Sequence, residues 1–201
     1  MKRVIVGITL AALTLWPLCQ GVAAVTATNG GPFALRTPDG VTVTDQTYRG
    51  KWLLVYFGYT FCPNSCPTAL MDISLVLARL GSEADVIQPL FITVDPQRDT
   101  PNVLQQYTRS FDPRIIGLSG DEQQLAAAAQ AYGAYATPRK TGQSAEDDLI
   151  DHSSYIYLMD PHGRFARGFD ADMPPDRMAQ EVRELVRHAP GASPLGNQGA
   201  W

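Results

Sequence analysis

The chain has few cysteines and few histidines, three of each among 201 residues, and it lacks any long run of like-charged residues. Without such a run, it offers no charged interaction tail. Its net charge of −4 becomes −6 for a chain cut after residue 24, which retains 14 basic and 20 acidic residues. This excess of acid argues against nucleic acid as a partner, because nucleic-acid affinity comes from cations that neutralise phosphates.

The first 24 residues have the three-part form of a secretory signal. Two basic residues precede an apolar run over 4–18, and Val22 and Ala24 suit the −3 and −1 positions before a cleavage site. The alternative is a retained membrane anchor, because the apolar stretch extended to residue 25 has 22 residues and is long enough to span a bilayer. Either way, we expect the remainder on the periplasmic side of a bacterial inner membrane.

The remaining chain is sufficient for one well-packed domain, since 45% of all residues are apolar. We expect this domain over residues 25–188. A glycine- and proline-rich tail over 189–201 is expected to be disordered.

Only two cysteines lie beyond the N-terminal segment, Cys62 and Cys66, and they are four positions apart. In an exported protein the simplest expectation is a structural disulfide. However, a bridge across so short a loop removes little chain entropy, and a domain of this size has a core without it. A chemical role for the pair is therefore favoured.

Strand and helix patterns alternate along the domain, which predicts an α/β fold with parallel strands. Residues 33–43 predict an N-terminal β-hairpin, and the apolar run at 52–57 predicts a buried central strand. Beyond the cysteines we expect a helix from Pro67, strands at 90–94 and 115–118, a helix from 100, a helix ending near 132, a hairpin over 154–169 and a last helix around 178–186.

Several local features are also predicted. Pro67 suits the first helical position and so puts Cys66 outside helical geometry. Pro89 is expected at the entrance of its strand, because a central strand cannot lose that hydrogen-bond donor. Ser119 with Glu122 matches a capping box. The polar stretch 137–151 is expected to be a long exposed loop.

A strand that leads into a cysteine pair and then a helix is the arrangement of thioredoxin-like active sites. The positive end of the helix dipole favours thiolate, the form that attacks disulfides and binds metals, so Cys66 is expected to be reactive. Three residues separate Cys62 from Cys66, where disulfide oxidoreductases of this fold have two. The longer loop alters the geometry without forbidding a bridge.

Three segments carry a more specific resemblance: GYTFCPNSCPTAL at 58–70, FITVDPQRDTP at 91–101 and DHSSYIYLMDPHGRF at 151–165. Together, and in order over about residues 33–187, they look like the Sco (SenC) family of copper proteins. The resemblance implies a thioredoxin-like fold and a role in assembling the copper site of cytochrome c oxidase. In that family the two motif cysteines and a histidine bind copper, and they correspond to Cys62, Cys66 and His152.

The chemistry of these residues agrees with copper, because thiolates hold Cu(I) and imidazole accepts Cu(I) and Cu(II). In thioredoxin-like enzymes a cis-proline faces the cysteines, and the equivalent position falls near Ser154, where no proline occurs. His152 lies two residues upstream, and we expect it to face the cysteines instead. Zinc is less favoured, since no fourth protein ligand is evident.

Other polar residues in the motifs are given smaller roles. Asp95 ends a strand at the edge where α/β proteins build sites, so we expect it to tune the site as a second-layer residue, to receive a hydrogen bond from a loop, or only to end the strand. Arg98 and Asp99 are expected to form a local ion pair. His162, in an exposed turn, and His188, at a helix end, are not expected to be ligands.

The leading hypothesis is a copper metallochaperone that passes copper to an apo copper protein, expected to be the copper-bearing subunit of cytochrome c oxidase. Another periplasmic copper chaperone or a thiol reductase is a further expected partner. The alternative is a thiol:disulfide reductase in which Cys62 attacks. A copper or redox sensor is a third hypothesis. A peroxidase is the weakest hypothesis, because the peroxidatic Pro-x-x-x-Thr/Ser-x-x-Cys pattern does not precede Cys62.

One departure from the family pattern concerns the loop between the cysteines. The family often has Cys-Pro-Asp-Val-Cys, whereas this chain has Asn64 and Ser65. Loss of a carboxylate beside two thiolates eases deprotonation of the thiols and changes the surface offered to a partner.

Overall fold

The computed structural model describes residues 30–141 and 148–188. Within these ranges the strands are β1 (Ala34–Arg36), β2 (Thr42–Thr44), β3 (Trp52–Gly58), β4 (Ile87–Thr93), β5 (Ile116–Leu118), β6 (Ala136–Arg139), β7 (Leu149–His152), β8 (Tyr155–Met159) and β9 (Phe165–Asp170). The helices are α1 (Ser65–Leu80), α2 (Pro101–Phe111), α3 (Glu122–Tyr132) and α4 (Pro175–His188), and short 3-10 helices cover Asp45–Tyr48 and Gly81–Val86.

Some predictions lie outside the described residues, namely the signal or anchor at 1–24 and the tail at 189–201. Among the helices that are described, none has both the length and the apolar character needed to cross a membrane.

A five-stranded sheet in the order β5-β4-β3-β8-β9 forms the centre of the domain. Strands β3, β4 and β5 are parallel, whereas β8 and β9 are antiparallel to their neighbours. All seven residues of β3 are buried, as expected for a strand covered on both faces. The predicted central strand is therefore confirmed.

The two faces of this sheet are covered by different helices. One core contains Leu54 and Tyr56 of β3 together with buried residues of α1 and α4. The other contains Val55 and Phe57 together with residues of α3 and of the β1–β2 hairpin. The predicted thioredoxin-like α/β fold, with an N-terminal hairpin and a second hairpin before the last helix, is confirmed.

Three local predictions were wrong. Helix α1 begins at Ser65, so Cys66 lies inside its first turn. Pro89 lies within β4 opposite Leu54, and this position is tolerated because β5 pairs with β4 only from Leu90 onward.

The capping box of α3 was also misplaced by two residues. Asp121 is the N-cap, its carboxylate accepts from the backbone N–H of Gln124 at 2.8 Å, and the Gln124 side chain accepts in return from the Asp121 N–H. Aspartate and glutamine three positions apart thus form the same kind of capping box that was expected of Ser119 and Glu122, two residues further along the chain.

The described ends of the expected loop over 137–151 form strands. β6 and β7 form a two-stranded antiparallel sheet, with Ala136 opposite His152 and Arg139 opposite Leu149. The prediction failed because all four residues of β6 are exposed, so no alternation of apolar and polar residues marks the strand. This small sheet carries His152 towards the cysteines.

Candidate metal centre

The turn between β3 and α1 carries both cysteines to the end of the central sheet. Cys66 is completely buried, and Cys62 is 9% exposed. Gly58 makes this packing feasible, because a Cβ atom at that position would lie 2.6 Å from the Cys66 Sγ. Both thiols are free in the structure.

The structure brings His152 to these cysteines from 86 positions further along the chain. Its Nε2 lies 3.3 Å from the Cys66 Sγ and 3.9 Å from the Cys62 Sγ. The three donor atoms lie within 4.8 Å of one another. A metal ion with bonds of about 2.0–2.3 Å to nitrogen and sulfur separates its ligands by roughly 3.5–4 Å, so the donor set fits one ion with little movement.

The backbone determines which nitrogen of His152 faces the sulfurs. Nδ1 lies 3.0 Å from the carbonyl oxygen of Ser153. A carbonyl oxygen only accepts, so Nδ1–H donates to it and the lone pair of neutral His152 is on Nε2. The imidazole is therefore held in the tautomer that a metal needs, by the kind of outer hydrogen bond that orients metal-ligating histidines.

The two thiols differ in their tendency to ionise. The Cys66 thiol donates towards Cys62, and further contacts with His152, the Ser65 hydroxyl at 3.2 Å and the Cys66 backbone N–H at 3.4 Å hold the pKa of Cys62 far below its usual range. Burial, reinforced by the Cys62 thiolate, raises the pKa of Cys66. The lower pKa therefore belongs to Cys62, which borders the cleft, whereas Cys66, the thiol expected from the sequence to be reactive, is fully buried and has the higher pKa.

The environment of His152 combines burial with polar contacts. Burial alone would lower the pKa of His152, but the contacts with Cys62 and the Ser153 carbonyl outweigh it and raise the pKa. Tyr56 and Tyr59 stand edge-on to the imidazole, with ring centroids 5.9 and 5.8 Å away. Tyr56 belongs to the central strand and Tyr59 to the cysteine turn, so the two rings flank the imidazole from two different elements.

Tyr59 connects the cysteine turn to the strand that carries the histidine. Its hydroxyl oxygen accepts from the backbone N–H of Ile150 in β7 at 3.1 Å. Neither this contact nor that of Ser65 was predicted from the sequence, although both residues lie in the cysteine motif. The Ser65 hydroxyl lies 3.5 Å from the Nε2 of His152, and the partners of both residues are about 90 positions away in the chain, so the spacing within the motif gave no signal for either contact.

The ion pair predicted between Arg98 and Asp99 does not form. Arg98 pairs instead with Asp95, and its guanidinium lies 5.7 Å from the ring centroid of Tyr59 and 5.2 Å from that of Phe61. Arg98 also donates to the carbonyl of Asp148 at 3.0 Å. Through Arg98, Asp95 supports the cysteine turn. A direct influence of Asp95 on Cys62, Cys66 or His152 stays a prediction.

Asp99 has a separate structural role beneath the same turn. It is 1% exposed, and its carboxylate accepts from the backbone N–H of Thr60 at 3.2 Å and from the hydroxyls of Thr60 and Thr93, both at 2.6 Å. The predicted ion pair is absent because these three nearby donors in the interior bind the Asp99 carboxylate. This carboxylate ties the cysteine turn to the end of β4.

An open cleft of about 630 Å³ leads from the surface to the candidate site. Its floor contains Cys62 and His152, and its walls come from the cysteine turn and the β6–β7 sheet. The other two histidines lie elsewhere: His162 is in the exposed turn before β9, and His188 ends α4 with its Nδ1 2.7 Å from the Glu184 carbonyl.

The difference between the two thiols leads to a prediction about alkylation. In the reduced, metal-free protein at pH 6, iodoacetamide is expected to modify Cys62 at least about tenfold faster than Cys66, because the thiolate is the nucleophile and Cys62 borders the cleft. Peptide mapping by mass spectrometry after short exposures measures both rates. Equal labelling of the two cysteines would contradict the proposed ionisation order.

The fold and the site define a thioredoxin-like domain in which a histidine joins the cysteine pair as a third donor. A family model described as SCO1/SenC matches residues 22–187. The chain belongs to this SCO1/SenC family.

Individual relatives agree with this assignment. Protein SenC of Rhodobacter capsulatus is 39% identical over 98% of this chain and 92% of its own length. The human protein described as mitochondrial SCO1 homolog is 36% identical over 79% of this chain, which spans only 53% of the human protein. The structure of Bradyrhizobium japonicum ScoI with copper bound has 43% identity and a TM-score of 0.71, covering 77% of this chain and 98% of ScoI.

Proposed function

We propose that this protein is a copper metallochaperone that carries one copper ion on Cys62, Cys66 and His152. The observation that supports this most directly is the convergence of two sulfur atoms and one imidazole nitrogen within 4.8 Å of one another. Copper is the cargo, and its destination is the copper site of cytochrome c oxidase, in its copper-bearing subunit, on the periplasmic side of the membrane.

The donor set supports copper over other metals. Two thiolates stabilise Cu(I), whereas the imidazole is a good ligand for Cu(II) as well, so the same site accommodates both oxidation states. Structural zinc sites have four protein ligands, and within the described residues this cluster has three. Membership of the SCO1/SenC family and the copper-bound ScoI structure agree with this choice.

The cleft supports transfer by ligand exchange. Three protein ligands leave room in the coordination shell, and the cleft opens on Cys62 and His152, whereas Cys66 is buried behind them. An incoming thiolate from an acceptor protein therefore meets the copper beside Cys62 and His152. Cys66, the deepest ligand, is expected to be released last.

Anaerobic titration tests the proposed cargo. The reduced protein is expected to bind one equivalent of Cu(I), measured against a chromophoric Cu(I) chelator, because its three donors converge on one position. Protein alkylated at both cysteines is the control and is expected to bind none. A wild-type protein that fails to compete for copper, or that binds equally after alkylation, would contradict the proposal.

A thiol:disulfide reductase is the second candidate, and the low pKa of Cys62 favours it. A thiolate at the floor of a cleft is suited to attack a disulfide in a partner, with Cys66 resolving the mixed disulfide. Two experiments with an acceptor peptide that contains two cysteines distinguish these functions. In the first, the peptide is oxidised and the protein is metal-free, and reduction of the peptide disulfide is measured. In the second, the peptide is reduced and the protein carries copper, and transfer of copper is measured. Rapid disulfide reduction without copper transfer would favour the reductase.

A further inference from the structure

The hydroxyl of Tyr56 is buried next to the two cysteines without a hydrogen bond. Tyr56 has no exposed surface, and its hydroxyl oxygen has no hydrogen-bond partner in the described part of the protein. Buried polar groups are nearly always bonded, because an unbonded one has lost its water without replacement. The unbonded hydroxyl therefore points to a second state of the protein, in which it has a hydrogen-bond acceptor.

The neighbours of this hydroxyl identify that partner. The Tyr56 ring and the Cys66 Sγ approach the same point above Gly58, lying 3.1 and 2.6 Å from where a Cβ of that glycine would be. The hydroxyl lies close enough to the side chains of Cys66 and Ser65 for weak hydrogen bonding with both, but neither contact has the geometry of a full hydrogen bond. Among these groups, Cys66 is the one whose charge changes when a metal binds.

A protonated thiol is a weak hydrogen-bond acceptor, whereas a thiolate is a charged one. We propose that Tyr56 donates a hydrogen bond from its hydroxyl to the Cys66 sulfur once that sulfur is a metal-bound thiolate. This inference rests on the proposed function. As the metal–sulfur bond forms, the Cys66 proton leaves to solvent, and Tyr56 keeps its own proton.

Tyr56 is then a positioning residue that stabilises the loaded state only. In the metal-free protein the hydroxyl makes no hydrogen bond of full geometry, so its removal is expected to cost little stability. In the loaded protein it offsets part of the cost of a buried negative sulfur, which is high at a site of low dielectric constant. The hydroxyl therefore favours copper binding without occupying a place in the coordination shell.

The test is the Tyr56→Phe substitution, which removes the hydroxyl and keeps the ring. Cu(I) affinity is expected to fall about tenfold or more, because a hydrogen bond to a charged group is lost. The thermal stability of the metal-free variant is expected to be unchanged or higher. The sulfur-to-copper charge-transfer band of the Cu(II) form is expected to shift to longer wavelength, since the thiolate loses a hydrogen bond that lowered the energy of its electrons.

Tyr107→Phe is a matched control. The Tyr107 hydroxyl is also buried and unbonded within the described residues, and its ring packs on Phe91 and Phe111. Burial and, more weakly, the charges of Cys66 and Cys62 raise the pKa of Tyr107, but it lacks the side-chain contact with Cys66 that Tyr56 has. Its removal is expected to leave copper affinity and the charge-transfer band unchanged.

Equal copper affinity and equal spectra in wild type and Tyr56→Phe would overturn the inference and leave the proposed function standing. A lower stability of metal-free Tyr56→Phe, with affinity falling to the same extent in Tyr107→Phe, would also overturn it, since that pattern indicates a packing role. If the wild type itself binds no copper, the proposed function fails and the inference fails with it.

Discussion

Replacement of His152 by alanine is expected to lower the Cu(II) affinity of the reduced protein about 100-fold. The imidazole supplies one of three donors, and binding energies of structural metal sites correspond to about 3 kcal/mol per ligand. The loss of Cu(I) affinity is expected to be smaller, because two thiolates already provide a favourable site for Cu(I). Competition titrations of both oxidation states with chelators of known affinity measure the difference.

His162→Ala is the matched control for this prediction. His162 is exposed in the turn before β9, and its removal is expected to change neither affinity. If His152→Ala bound Cu(II) as tightly as wild type, the assignment of His152 as a ligand would be wrong. An equal loss in both variants would point to a general effect of histidine removal.

Replacement of Asp99 by alanine is expected to lower the free energy of unfolding by about 3 kcal/mol. The substitution leaves the Thr60 N–H and the hydroxyls of Thr60 and Thr93 without their acceptor in a buried position. The cysteine turn is then no longer held against the end of β4, so copper affinity is expected to fall as well. Denaturant unfolding of the metal-free protein measures the first effect.

Two control variants, Asp99→Asn and Asp170→Ala, distinguish the loss of the buried hydrogen bonds from a general effect of replacing an aspartate. The asparagine side chain keeps one acceptor oxygen, so the loss of stability in Asp99→Asn is expected to be about half as large. Asp170 is exposed on β9, and its replacement is expected to change stability by less than about 0.5 kcal/mol. A loss for Asp99→Ala no larger than for Asp170→Ala would show that the buried hydrogen bonds are unimportant.

The elements best predicted from sequence are those with a strong local pattern. The continuous apolar run of β3 and the apolar spacing within α2 and α4 predicted their type correctly, because each element buries a face that its own residues define. Strand β6 was not predicted from the sequence, because it buries no face of its own. Its four exposed residues carry no such pattern, and the strand is held by its pairing with β7.

The polar residues near the site were also predicted only in part: their presence was recognised, but their partners were not. Asp95, Arg98 and Asp99 were recognised as residues of the second motif, but their pairing was predicted wrongly. Proximity in the chain favoured Arg98 with Asp99. The buried donors of Thr60 and Thr93 compete for Asp99, and only the folded arrangement of the turn and β4 brings those donors to it.

By itself, the sequence determined the fold class, the family and the three residues most suited to bind copper, because motifs record which side chains are present and in what order. The tertiary structure decided that the donor atoms of Cys62, Cys66 and His152 meet within 4.8 Å. It also decided which nitrogen of His152 faces the sulfurs, which thiol has the lower pKa and where the unbonded Tyr56 hydroxyl lies. These properties depend on distances and burial between segments remote in the chain, and spacing along the chain does not determine such distances.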